Sequence, residues 1–248
     1  MPMKKSRFPW WVPLFWLALW QVASLCIHQE ILLPSPYVTL TTLFSLLSET
    51  IFWRSILSSL GRILLGFLLA IAFGICCAIV ARSFQWFRQL ISPLITFTKT
   101  VPVASFIILI LVWFSSRNLS IIIAFIMVFP IIYTNVLHGL ENLNPALADM
   151  AKVFHLTRYA TIRYVTIPQI MPFFHTACQV GLSLCFKAGI AAEVIGLPAH
   201  SIGSQLQEAK IFFDTPTLFA WTIVIIALSF ATEKAYLFLM KCLCSRLY

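Results

Sequence analysis

The charged side chains of this 248-residue chain are few, and a group of them lies between two apolar runs. The segment ADMAKVFHLTRYATIRYVTIPQIMPFF, residues 148–174, carries Asp149, Lys152, His155, Arg158 and Arg163. These side chains can form hydrogen bonds and ion pairs, but they show no spacing that suits a metal or a nucleophile and its base. The types and spacing of these charged side chains therefore favour recognition of a partner surface over catalysis.

A short amphipathic helix is predicted to carry this group. Asn144 is a favourable N-cap and Pro145 a favourable first-turn residue. The apolar periodicity then predicts a helix of about 14 residues, over 145–158. One face of this helix is apolar, with Leu147, Met150, Ala151 and Phe154. Because the helix is too short and too polar to cross a bilayer, we expect it at the membrane surface with one face against another protein.

Two further charges, Lys187 and Glu193, lie six residues apart in an apolar run. Charges within membrane spans are costly and are usually functional. They could form a gate or a substrate-facing polar pair. They could equally form a structural pair at the interface, with Lys187 reaching the headgroups. Arg62 and Lys99 are expected to pair at the membrane edge or inside the bundle rather than to bind a ligand.

The composition places these segments in lipid. The chain is 60% hydrophobic and 10% charged, whereas soluble domains carry about 25% charged residues. The mean hydropathy is +0.94. The net charge of +9 could suggest nucleic-acid binding in a soluble protein. Here the basic residues lie in short loops between apolar runs, where they set membrane orientation, so no nucleic-acid partner is expected.

The apolar runs predict an all-α integral membrane protein with six spans in one domain, residues 1–248. The predicted spans are 10–27, 59–81, 91–114, 119–140, 169–192 and 215–239. A short helix is also predicted after Pro36, and Pro93 and Pro102 should interrupt the third span. Basic residues concentrate in both tails, in the loop after the second span and in the polar segment. This bias predicts that both termini and the segment are cytoplasmic.

Small residues recur at every fourth position in two of the predicted spans. Such residues let helices approach closely in a membrane, so they predict two packing seams in a compact bundle. The first seam comprises Gly66, Ala70, Gly74 and Ala78, and the second Ala177, Gly181, Cys185 and Gly189.

Several classes of activity lack their sequence signals. The seven cysteines show no Cys-x-x-Cys pair, and no His-Glu-x-x-His or Gly-x-Ser-x-Gly sequence occurs. No Gly-x-x-x-x-Gly-Lys-Ser/Thr loop is present to hold a nucleotide. We therefore expect no enzyme activity, metal or cofactor in this chain. A secondary transporter or channel remains the alternative of another class, although no inverted repeat is visible.

The polar segment resembles the cytoplasmic coupling loop of ABC importer permeases. Asp149, Met150 and Ala151 stand in the place of that family's Glu-Ala-Ala, and Ile167-Pro168 in the place of its Leu-Pro end. Gly139 fits the small residue that precedes the loop. His155 departs from the pattern, because the family usually has Gly there. Either the turn is made differently or His155 contacts the partner.

The resemblance extends over about residues 36–240. FTKTVPVASFIILILVWF is similar to the third span of the family and includes Pro102. The Ala-Ala-Glu-Val-Ile-Gly run at 191–196 resembles the nitrate, sulfonate and taurine branch. The resemblance implies a type I ABC importer permease that imports a small anion such as a sulfonate, taurine or nitrate. The alternative within the family is a vitamin, such as a pyrimidine precursor of thiamine.

The resemblance also implies partners and residue roles. The permease would be a homodimer in the bacterial inner membrane, with two separate ATPases that bind ATP and Mg²⁺ and an extracytoplasmic binding protein. Three positions, Lys187, Glu193 and Pro102, are candidates for translocation or gating. The residues implied in ATPase coupling are Asp149, Met150, Ala151, Lys152, Phe154, His155, Leu156, Ile167 and Pro168.

Overall fold

The computed structural model describes residues 11–247, with side chains for residues 11–242. The basic residues predicted to orient the tails at Lys4, Lys5, Arg7 and Arg246, and Trp10 at the start of the first span, therefore lie outside the described side chains. The helices are α1 Trp11–Ile27, α2 Pro36–Leu46, α3 Thr50–Ser83, α4 Gln85–Thr100, α5 Val103–Trp113, α6 Ser116–Glu141, α7 Pro145–Val153, α8 Arg158–Thr161, α9 Ile167–Gly196, α10 Ile202–Ile211 and α11 Thr215–Leu247. A π-helical turn, Ile162–Thr166, joins α8 to α9.

Three long helices, α3, α6 and α9, form the centre of the bundle, with α6 packed along both of the others. Both predicted small-residue seams are confirmed, because all eight of their residues are buried on α3 and α9. A Cβ atom on Gly66 would lie 2.4 Å from the carbonyl oxygen of Ile121, and one on Gly189 would lie 2.7 Å from Ile63. The close contact of these helices thus depends on side chains no larger than hydrogen at these points.

Four of the described helical stretches are long and apolar enough to cross a bilayer: Thr50–Ser83, Ser116–Glu141, Arg158–Gly196 and Thr215–Cys242. The shorter apolar helix α1 corresponds to the first predicted span. The stretch predicted at 59–81 lies within α3, which begins earlier, at Thr50.

The predicted third span is a bent pair of helices. α4 passes through Pro93 without ending, whereas the chain turns by 111° between α4 and α5. Pro102 is the N-cap of α5, with an extended backbone that cannot continue the preceding helix. The interruption predicted at Pro93 is therefore wrong, and the one predicted at Pro102 is confirmed.

The helix that was expected to open near Pro168 begins ten residues earlier, at Arg158. Thr157 caps this helix by accepting a hydrogen bond from the Ala160 amide at 3.3 Å. The π-helical turn then lets the amide of Ile167 bond to the carbonyl of Ile162. The wider turn accommodates Pro168, which lacks an amide proton and would clash in a regular α-helix.

Candidate functional site

The polar segment forms a short helix outside the long spans, as the sequence predicts. The Asn144 side chain accepts a hydrogen bond from the amide of Ala146 at 2.9 Å, and Pro145 occupies the first turn. The helix is shorter than predicted, however, since α7 ends at Val153 instead of continuing to 158. We refer to residues 144–156 as the coupling segment, after the role that the resemblance implies for it.

His155 ends the helix of the coupling segment by adopting the left-handed conformation, with φ 49°. The amide of Leu156 bonds to the carbonyl of Ala151 at 2.9 Å, and the amide of His155 to that of Lys152 at 3.0 Å. This pair of bonds defines a Schellman motif, whose left-handed residue is usually Gly. The turn is therefore made with His155 in the position where the family pattern has Gly.

The coupling segment exposes apolar side chains that nothing in the described part of the chain covers. Val153 and Phe154 are 74% and 71% exposed, whereas Ala151 is buried. Asp149 and Lys152 form an exposed ion pair of 2.9 Å on the same helix. Exposed apolar groups with charges beside them are typical of a surface that binds another protein.

Gln169 connects the coupling segment to the long helix α9. Its side-chain oxygen accepts a hydrogen bond from the Asn144 amide at 2.7 Å, and its nitrogen donates to the Val165 carbonyl at 2.9 Å. Ile167 and Pro168, both predicted coupling residues, lie in the first turn of α9 beside it. The sequence analysis missed Gln169, although an amide side chain directly after Pro168 in an apolar run was a visible signal.

An apolar cavity of about 500 Å³ lies beside this connection, between α3, α6, the π-helical turn and the start of α9. Its walls are formed by Ile75, Ile79, Val136, Leu140, Ile162, Thr166, Ile167, Ile170, Met171 and Phe174. The start of α9 is therefore not closely packed against α3 and α6 on this side.

At the other end of α9, Glu193 is fully buried in a set of hydrogen-bond donors. Its carboxylate accepts bonds from the Ser59 hydroxyl at 2.6 Å, the Ser120 hydroxyl at 3.4 Å and the Gly203 amide at 3.3 Å. Arg62 completes the set with an ion pair of 3.1 Å. The partner of Glu193 is thus Arg62 on α3 and not Lys187, and Arg62 pairs inside the bundle as the sequence predicts.

The same set of groups holds α10 against the bundle. The Ile202 amide donates to the Ser59 hydroxyl at 2.9 Å, and Arg62 donates to the His200 carbonyl at 3.4 Å. A Cβ atom on Gly203 would lie only 2.3 Å from the Cβ of Glu193. Glu193 therefore joins α3, α6, α9 and α10 at one end of the molecule.

Lys187 lies instead in a second cavity, of about 510 Å³, between α9 and α11. Its side chain is exposed and forms no ion pair with any described residue. Pro102, the third candidate for gating, lies at the bend between α4 and α5, away from the lining of this cavity. The three candidate gating residues consequently occupy three separate places. Within the described residues, no group of three or more His, Cys, Asp or Glu side chains could hold a metal.

Curated relatives are similar to most of this chain. The taurine transport system permease protein TauC of Escherichia coli (strain K12) is 25% identical over 220 residues, 86% of this chain and 80% of that protein. The riboflavin transport system permease protein RibX of Chloroflexus aurantiacus is 25% identical over 205 residues, 82% of this chain and 76% of that protein. The putative aliphatic sulfonates transport permease protein SsuC of E. coli (strain K12) is 27% identical over 220 residues, 86% of this chain and 83% of that protein.

Solved structures share the fold. A chain in the crystal structure of an amino acid ABC transporter with histidines superposes with a TM-score of 0.60 at 17% identity, covering 79% of this chain and 94% of that one. A chain of the inward-facing MetNI methionine ABC transporter superposes with a TM-score of 0.57 at 13% identity, covering 75% of this chain and 92% of that one. The fold is that of a type I ABC importer permease. Residues 70–240 match the model of one protein family, and the chain belongs to it: the binding-protein-dependent transport system inner membrane component, the permease subunit of ABC importers.

Proposed function

We propose that this permease works as a homodimer and that its coupling segment, residues 144–156, docks onto a separate ATPase on the cytoplasmic side. The observation that carries this proposal is the exposed apolar surface at Val153 and Phe154 on a helix outside the long spans. Asp149 and Lys152 would contact the rim of the ATPase groove, where their charges remain in water. The basic residues of the two tails favour an orientation in which both termini are on the same side as the coupling segment.

Movement of the ATPases would be transmitted to the bundle through two connections at the ends of α7. The Schellman turn at His155 closes one end of α7, and the bond from the Asn144 amide to Gln169 fixes the other end to α9. Since α9 is packed along α6, a shift of its first turns would tilt the central helices together. ATP and Mg²⁺ are held by the two ATPases, and rigid-body rocking of the paired bundles alternates the access of the pathway.

A small sulfonate-type anion is the proposed substrate, delivered by an extracytoplasmic binding protein. The similarity to permeases named for taurine and aliphatic sulfonates supports this class, and nitrate belongs to the same proposal. A second candidate is a vitamin or vitamin precursor, favoured by the similarity to a permease named for riboflavin. The same dimer and the same coupling segment would serve either cargo.

Uptake by the reconstituted complex tests the proposal. The permease, its ATPase and its binding protein are placed in proteoliposomes and assayed with labelled taurine, ethanesulfonate, nitrate and riboflavin. We expect uptake of one sulfonate-type anion that requires ATP and the ATPase. Uptake of riboflavin alone would select the second cargo. Uptake driven by an ion gradient in the permease alone would overturn the proposal in favour of a secondary transporter or channel.

A further inference from the structure

The cavity between α9 and α11 contains one basic and one acidic side chain that do not pair. Lys187 and Glu233 both line it, and no N–O distance between them is 4.0 Å or less. Neither residue forms an ion pair elsewhere within residues 11–242. An uncompensated charge is costly at membrane depth, and among residues 11–242 no side chain forms an ion pair with either group.

Polar hydroxyl groups accompany the two charges. Ser183 and Ser229 also line the cavity, and neither hydroxyl forms a hydrogen bond with the rest of the described chain. Serine in a helix commonly bonds to the carbonyl one turn back. Neither serine does so here, which leaves both hydroxyls available to a ligand. The cavity thus presents a cation, an anion and two hydroxyl groups on otherwise apolar walls.

The two charges come from facing helices. α9 and α11 run antiparallel, because the rings of His175 and Tyr236 meet at 5.5 Å, whereas Ile190 and Ile225, nearer the end of α9 and the start of α11, line one cavity. Lys187 on α9 and Glu233 on α11 line that cavity from opposite walls.

We propose that this cavity binds a small zwitterion, with its anionic group at Lys187 and its ammonium group at Glu233. A small molecule with a sulfonate or carboxylate at one end and an ammonium group at the other would meet both charges, and the two serine hydroxyls would bond to its anionic end. The inference rests on the proposed function. It narrows the proposed substrate class from a small anion to an amino-sulfonate or an amino acid. In the proposed homodimer, the exposed side chain of Lys187 would face the pathway between the two copies, since lipid tails would not solvate its charge.

The depth of Lys187 in the membrane distinguishes a soluble zwitterion from the headgroup of a lipid. Lys187 is nine residues before the end of α9 at Gly196, which is about 14 Å along the helix axis. A headgroup zwitterion such as that of phosphatidylethanolamine carries the same chemistry but lies at the surface of the bilayer. Nanodiscs of phosphatidylglycerol, with and without phosphatidylethanolamine, therefore distinguish the two sources.

Binding to the permease–ATPase complex without the binding protein tests the site. Labelled taurine is bound in nanodiscs and displaced with β-alanine, which is also zwitterionic, or with isethionate, in which a hydroxyl replaces the ammonium. We expect β-alanine to displace taurine and isethionate to do so about tenfold less well. Lys187→Met and Glu233→Gln should each weaken taurine binding about tenfold, whereas Lys210→Met and Glu208→Gln on α10 should not.

Three results would overturn the assignment. The first is no taurine binding at about 10 mM in either lipid, and the second is equal displacement by isethionate and β-alanine. The third is binding that phosphatidylethanolamine abolishes, which would make the site a headgroup site. ATP hydrolysis that the binding protein stimulates is measured on the same nanodiscs. If it persists when zwitterion binding fails, the site assignment is wrong and the importer function stands.

Discussion

The guanidinium of Arg62 lies 3.1 Å from the carboxylate of Glu193, in an ion pair that joins α3 to α9. The carboxylate is fully buried and the arginine side chain is 12% exposed. Two serine hydroxyls and the amide of Gly203 satisfy the remaining positions on the carboxylate. The carboxylate of Glu193 is therefore fully engaged within the bundle, and Lys187 is the charge of α9 that the proposed zwitterion site would use.

Removal of Arg62 should cost more stability than removal of the whole pair. Arg62→Met leaves a buried carboxylate without its counter-ion, which should lower the free energy of unfolding by about 3–5 kcal/mol. The double variant Arg62→Met with Glu193→Gln removes the charge as well, so it should be more stable than the single variant. Unfolding temperatures in detergent measure both, with Arg54→Met, at an exposed arginine without an ion pair, as the control. A double variant no more stable than Arg62→Met would contradict this role.

Gly203→Ala should detach α10 from α9. The added methyl would lie 2.3 Å from the Cβ of Glu193 and 2.4 Å from its carbonyl carbon, and neither atom can move independently of the backbone. We expect a loss of about 1–3 kcal/mol in unfolding free energy, by the usual cost of overpacking. Gly61→Ala on α3 is the matched control, because nothing lies within 4 Å of the added atom. Equal unfolding temperatures for the two variants would show that the contact does not constrain α10.

His155→Val should loosen the end of α7, whereas His155→Gly and His155→Asn should not. A β-branched residue at φ 49° is strained by about 1–2 kcal/mol, while Gly and Asn accept the left-handed conformation. Hydrogen–deuterium exchange of the 145–157 peptide measures the effect directly. Faster exchange in the Val variant alone is expected. If all three variants exchange alike, the Schellman bonds do not determine the order of the coupling segment.

Gln169→Leu should uncouple ATP hydrolysis from transport without releasing the ATPase. The variant loses the bond between the Asn144 amide and α9, so motion of the coupling segment would no longer reach the span. Gln169→Glu keeps the acceptor oxygen and should retain most of the uptake per ATP hydrolysed. The ratio of uptake to hydrolysis in proteoliposomes distinguishes the two variants. An unchanged ratio in Gln169→Leu would remove Gln169 from the coupling path.

The local structure of the coupling segment could be predicted in part from the sequence. Asn144 and Pro145 predicted the start of α7, because capping depends only on neighbouring residues. Its end was predicted too late, since the termination signal is usually Gly and here His155 adopts the left-handed conformation. The small-residue seams were predictable as well, because small residues at every fourth position mark one face of a single helix.

The tertiary contacts could not be predicted in this way. Glu193 and Arg62 are separated by 131 residues, and no periodicity indicates which buried charges will meet. The π-helical turn before Pro168 was also missed, because a proline in an apolar run usually marks the start of a helix. Lys187 was identified from its charge, but its acidic neighbour Glu233 became apparent only from the packing of α11 on α9.

Retention of the ATPase by variants at Phe154 tests the central claim most directly. Phe154→Asp places a charge in the exposed apolar surface of the coupling segment, and Phe212→Asp does the same to a phenylalanine of similar exposure, 74%, at the end of α10. Each affinity-tagged permease is purified with its ATPase, and the ratio of the two proteins is measured. We predict that Phe154→Asp loses the ATPase by at least about tenfold while Phe212→Asp retains it. Equal retention by both variants would contradict docking of the ATPase at the coupling segment.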